Sequence, residues 1–184
     1  MKSASNTKKV VMVGAFSAIS FILQMLGSMM GIKVGGFLEV EISDLPALII
    51  SFAYGPVAGI LVELLKNFLH CFFTSTGFVG ELANFVINGT FVGIAGIIYK
   101  LHKTFKGAVV SLIAATCAMA VAGIFANLYI MLPLYMPTAP LSVKMNLVLA
   151  TILPFNLVKG VATSVVTMLI YKRISPILKF SWKK

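Results

Sequence analysis

Residues 154–160 read Pro154-Phe155-Asn156-Leu157-Val158-Lys159-Gly160, an amide and an ammonium inside an apolar run extending from about Met145 to Tyr171. A run of that length crosses a hydrocarbon core of roughly 30 Å at about 1.5 Å per residue. A lysine near the middle of a membrane helix costs roughly 2.5–3.5 kcal/mol or more unless it faces a partner, water or a ligand. Lys159 is therefore a functional candidate. Asn156 lies three residues before it, so on a helix both project from nearly the same face and can grip one object. The alternative is that Lys159 is spent on an internal ion pair with a glutamate, Glu81 being the preferred partner.

Five further apolar segments precede this one. With 59% hydrophobic and 11% charged residues, the chain is far from the balance of a soluble domain. It is expected to be a single all-α integral membrane domain over residues 1–184. Its net charge of +10 does not indicate nucleic acid, because the basic residues are clustered. Lys2, Lys8 and Lys9 precede the first apolar run, Lys100, Lys103 and Lys106 separate two runs, and Lys172, Arg173, Lys179, Lys183 and Lys184 follow the last. Such clusters mark cytoplasmic ends, which puts both termini inside and predicts a six-helix transmembrane bundle in a cell membrane. All five acids, Glu39, Glu41, Asp44, Glu63 and Glu81, fall elsewhere.

Segment 1, about Lys9 to Gly31, carries Gly14 and Ala18, a small-xxx-small surface open to another helix inside the fold or in another subunit. Residues 32–44 contain Gly35-Gly36 and an apolar/acidic alternation from Leu38 to Ile42, which predicts a short outer hairpin between helices 1 and 2. Asp44 is placed to cap the helix that opens at Leu45-Pro46. That helix reaches Tyr54-Gly55-Pro56 after about ten residues, too few for an ordinary span. Segment 3 places Glu63, Lys66, Asn67 and His70 on one face, as a self-satisfied pair or as part of a ligand site. Segment 4 follows a small outer loop from Thr74 to Gly80 and carries Glu81, Asn84 and Asn88 in its outer half. Gly89 and Gly93 lie farther along it. Glu81 and Asn84 are expected to touch ligand, and Asn88 to make an interhelical hydrogen bond.

Segment 5 is apolar and small apart from Asn127, and Pro133 to Lys144 reads as an outer loop. Segments 3 to 6 thus each bring amide or charged groups to their outer halves. One outward-opening polar pocket, capped by the 32–44 and 133–144 loops, accounts for all of them.

The chemistry of catalysis has no support here. There is no P-loop to cradle nucleotide phosphates, no paired-histidine metal motif and no nucleophile elbow. Cys71 and Cys117 share no metal-type spacing. A ligand-binding membrane protein without a catalytic cofactor fits better than an enzyme, and with no P-loop its power must come from elsewhere.

Taken together, Ser43-Asp44-Leu45-Pro46-Ala47-Leu48-Ile49, Tyr54-Gly55-Pro56-Val57-Ala58-Gly59, Glu63-Leu64-Leu65-Lys66-Asn67-Phe68-Leu69-His70, Gly80-Glu81-Leu82-Ala83-Asn84-Phe85 and the 154–160 stretch resemble the substrate-binding S-component of energy-coupling-factor vitamin transporters. The resemblance spans essentially the whole chain and is greatest to the riboflavin-specific members. It implies a bacterial membrane subunit that captures riboflavin from outside, then works with a transmembrane coupling subunit and two ATPase subunits, toppling in the lipid to deliver the vitamin. It also implies that Asn127, Asn156 and Lys159 hold the flavin ring, and that Gly14 and Ala18 contact the coupling subunit, Gly replacing the more usual Ala. An isoalloxazine edge offers carbonyls and an imide N–H that amides and a lysine can pair. Glu81 and Asn84 are then assigned to the ribityl hydroxyls, with Lys66 or Glu41 as substitutes. An S-component for another vitamin or precursor, and an autonomous membrane channel or enzyme, are the alternatives.

Overall fold

The computed structural model describes residues 2–31, 33–34, 38–39, 41–74 and 78–182. Six helices occur among them: α1 (Lys2–Met30), α2 (Asp44–Tyr54), α3 (Pro56–His70), α4 (Val79–Leu101), α5 (Phe105–Tyr135) and α6, which opens at Leu141 and ends at Trp182. Between α1 and α2, β1 (Lys33–Val34) pairs antiparallel with β2 (Leu38–Glu39), Lys33 facing Glu39 and Val34 facing Leu38. The Gly35-Gly36 turn and the middle of the Thr74–Gly80 loop lie outside the described residues.

Four helices are long and apolar enough to cross a membrane: α1 over Asn6–Met30, α4, α5, and α6 over Leu141–Ile170. The other two solve the length problem together. Gly55 takes φ +98°, a conformation that an L side chain rarely adopts, and Pro56 starts α3 at once. The chain therefore folds back on itself: Ser51 lies against Gly59, and Asp44 against Lys66, pairs evenly spaced about Gly55. This α2–α3 hairpin has arms of about 16 and 22 Å at the helical rise. Its α2 arm is the centre of the bundle, packed against α1, α3, α4 and α6, with Leu48, Ile50 and Phe52 wholly buried.

Close approach is built from missing side chains. A Cβ on Gly59 would stand 2.6 Å from Ser51 Cβ and 2.9 Å from the Ala47 carbonyl oxygen. On Gly96 it would collide with Ser51 Oγ and reach 3.0 Å from Pro56 Cα. Ser51 sits in the resulting crevice and donates to the Val92 carbonyl at 2.9 Å, so its hydroxyl is satisfied without water.

Both helices that follow contain a π turn with a proline just beyond it. In α5 the turn is Asn127–Met131 and the proline is Pro133; in α6 they are Val148–Ile152 and Pro154. A proline inside a helix has no N–H for the carbonyl four residues back and its ring crowds that oxygen. Here those carbonyls belong to Tyr129 and Ala150, each inside the widened turn, which relieves the crowding. The expected loop over Pro133 to Lys144 is thereby corrected: helix continues to Tyr135 and resumes at Leu141, leaving 136–140 as the connection.

The ends also differ from expectation. Helix α1 begins before Lys9, and α6 continues past Tyr171. Asp44 is the first residue of α2 rather than its cap. Ser43 is the cap residue and makes no capping hydrogen bond with its side chain, because its hydroxyl donates to Glu41 and accepts from Lys66, while the Asp44 carboxylate is engaged by lysines.

Candidate functional site

Alternation of the helices brings the ends of α1 and α3, the starts of α2 and α4, the end of α5 and the first half of α6 to one end of the bundle, beside the β-hairpin. A cavity of about 290 Å³ opens there, at the lower edge of the roughly 300–1,000 Å³ usual for small-molecule sites. All five expected ligand residues line it: Glu81 and Asn84 from α4, Asn127 from α5, and Asn156 and Lys159 from α6. Leu38, Ile87, Met131, Tyr135 and Phe155 supply apolar surface.

The two amides are seated alike. Asn127 Nδ2 donates to the Gly123 carbonyl at 2.8 Å, and Asn156 Nδ2 to the Ile152 carbonyl at 2.9 Å. A carbonyl can only accept, so the amino group must face the helix in each case and the side-chain oxygen must face away. Asn127 Oδ1 is buried with no hydrogen-bond partner among the described residues, an acceptor held ready at the cavity wall. Gly123 serves both amides. Its carbonyl takes Asn127, while a Cβ there would stand 2.6 Å from Asn156 Nδ2. Sequence reasoning passed over Gly123, since one glycine in a small, apolar helix carries no signal until its neighbour is known.

Lys159 is 10% exposed and bridges two acids, donating to Glu41 Oε1 at 3.2 Å and lying 3.0 Å from Asp44 Oδ2. The preferred pairing with Glu81 is thus corrected. Glu81 instead meets His70 Nδ1 at 2.9 Å. Glu41 lies in the segment joining β2 to α2, where it also accepts from Asn84 Nδ2 at 3.2 Å and from Ser43 Oγ at 2.8 Å. Burial pushes its carboxyl up, but the ammoniums of Lys159 and Lys66 outweigh this and hold it at about 2. A lowered acid adds stability that is complete above its ordinary value of 4.5 and is lost as pH falls through about 2, so Glu41 stays ionised at neutral pH.

Asn88 makes its hydrogen bond within α4, to Asn84 Oδ1, rather than between helices. At the mouth, Ser28 of α1 contacts both Glu39 and His70, with His70 Nε2 at 3.3 Å. Gln24, Glu39 and His70 line the cavity as well. Of these, His70 was legible as part of the polar stripe of α3, and Gln24 was not. Among the described residues, no group of three or more His, Cys, Asp or Glu side chains could hold a metal ion. The wall offers an organic guest acceptors from Asn127 and Asn156, a cation in Lys159 and aromatic or aliphatic sides.

Gly14 and Ala18 do not line this cavity and are exposed on α1, with nothing within 4 Å of a Cβ placed on Gly14 outside its own helix backbone.

The family described as ECF transporter, substrate-specific component, matches residues 8–171. The chain belongs to that family. Similar proteins include Riboflavin transporter RibU of Staphylococcus aureus (strain TCH60), 34% identical over 94% of this chain and 93% of that one. Riboflavin transporter FmnP of Bacillus subtilis (strain 168) is 35% identical over 92% and 93%. A solved chain described as the S component of a bacterial ECF transporter superposes with a TM-score of 0.80 at 34% identity, over 95% of this chain and 99% of that one. As an S component, the protein is a membrane-embedded transporter subunit and not an enzyme, and its fold is the all-helical membrane bundle that the sequence predicts.

Proposed function

We propose that this S component binds riboflavin in the cavity beside the β-hairpin and delivers it across the membrane with an ATP-driven ECF module. The observation that carries the proposal is the convergence of Asn127, Asn156 and Lys159, from two helices, on a single cavity with apolar sides. Asn127 and Asn156 oxygens would accept from the imide N–H, and Lys159 would donate to a ring carbonyl. Glu81 and Asn84, at the same cavity, would serve the ribityl hydroxyls. The likeness to riboflavin transporters supports that choice of vitamin.

The orientation follows from charge. Exposed Lys8, Lys100, Lys103 and Lys106 collect at the end opposite the cavity, and basic ends stay on the cytoplasmic side. The termini would be inside and the cavity would load from outside. Gly14 and Ala18 would receive the transmembrane coupling subunit, beside two ATPase subunits.

Purified protein should quench riboflavin fluorescence or carry a flavin spectrum, and Asn156→Ala and Lys159→Ala should each weaken binding by about tenfold or more, the cost of one to two hydrogen bonds to a buried group. Failure of riboflavin, with stabilisation by a different vitamin in a thermal-shift panel, would reassign the ligand.

A further inference from the structure

Three buried groups behind the cavity wall touch no part of the cavity: Asp44, Glu63 and Lys66. Each is wholly buried. Asp44 divides its carboxylate between two helices, Oδ1 lying 2.8 Å from Lys66 Nζ on α3 and Oδ2 3.0 Å from Lys159 Nζ on α6. Lys66 in turn stands 2.7 Å from Glu63 Oε2 and donates to Ser43 Oγ at 2.9 Å. The order Glu63, Lys66, Asp44, Lys159 is thus a line of alternating charge whose last member enters the cavity.

We infer that Lys66 and Glu63 are positioning residues, which set through Asp44 how firmly the Lys159 ammonium is held away from the ligand. The inference rests on the proposed riboflavin site.

An ammonium has three donors. One of Lys159's goes to Glu41, Asp44 attracts the ammonium as an ion pair at 3.0 Å, and the remaining donors are left for a guest. Asp44 is wholly buried, so whatever Lys66 does not neutralise falls on Lys159. Removing the Lys66 charge makes Asp44 a stronger competitor for Lys159 and weakens the ligand contact. Removing the Glu63 charge frees Lys66 to serve Asp44, loosens the hold on Lys159 and strengthens it. A structural role alone predicts loss from both changes, since each breaks a buried pair. Opposite signs separate the two accounts.

The experiment measures riboflavin affinity of the full chain by fluorescence quenching, with melting temperature alongside, for Lys66→Met and Glu63→Gln. The expected result is a loss of about tenfold for K66M and a gain of about threefold for E63Q, with both shifts vanishing in a K159Q background as coupling through one residue requires. E63Q conserves volume and decides alone where K66M does not fold. Unchanged or weakened binding by E63Q, or shifts that persist beside K159Q, overturn the inference while leaving the riboflavin site intact. Wild-type protein that leaves riboflavin fluorescence unchanged removes the proposed function and this inference with it.

Discussion

Helices α1 and α4 both carry small residues about one helical turn apart, and the fold answers them in opposite ways. On α4, Gly96 is filled by the α2–α3 turn, and Gly93 has Ile60 Cδ1 3.1 Å from where its Cβ would be. On α1, Gly14 and Ala18 face outward, and no described atom outside the adjoining helix backbone lies within 4 Å of a Cβ placed on Gly14. The same pattern therefore marks an internal seam on one helix and an open face on the other. Lipid tails gain little from a glycine, whereas a partner helix gains close contact. The open face is the one that fits a subunit contact.

The contrast is broken most severely at the seam. Gly96→Leu should abolish the folded monomer in detergent, because the new Cβ meets Ser51 and the backbone of Pro56, and overpacking of a site that cannot give costs about 1–3 kcal/mol or more; size-exclusion and thermal melting would read it. Gly14→Leu should leave melting and riboflavin affinity unchanged yet cut vitamin uptake by the assembled transporter to below about a fifth, as blocked close packing predicts. Unimpaired uptake would detach the open face from coupling. Gly123→Ala sharpens the comparison inside the site: it should weaken riboflavin binding by about tenfold through the displaced Asn156 amide, with the melting temperature nearly unchanged. Gly93→Ala should be smallest, shifting stability by less than about 1 kcal/mol, because the Ile60 methyl can move and alanine favours helix; a large loss there would mean that the seam is as rigid as at Gly96.

Much of this was legible from the sequence because apolar length, lysine clusters and polar residues in apolar helices all report on the membrane. Asn127, Asn156 and Lys159 stood out for that reason, and they share one cavity. Pairing was less legible. Lys159 meets Glu41 and Asp44, which lie more than a hundred positions earlier, and no local spacing distinguishes them from Glu81. Asp44 looked like a cap because aspartate before Leu-Pro is a good one; two buried ammoniums outbid a backbone N–H. The prolines misled in a different manner. They signalled a break at Pro133, whereas the chain absorbs the break as a π turn and remains helical.

Those two π turns also bear on which insertions and deletions the protein can tolerate. Each turn holds one residue more than an α-helical turn would, so deleting a single position within 127–131 lets α-helix re-form with the later residues of α5 still on their faces, whereas the same deletion in a regular α-helical stretch rotates everything beyond it by about 100°. Tyr135, which lines the cavity, would stay on it after a deletion within the π turn and swing off it after one in the α-helical stretch before 127. Residues 127–131 and 148–152 are thus the places where α5 and α6 can lose one residue without turning the cavity wall.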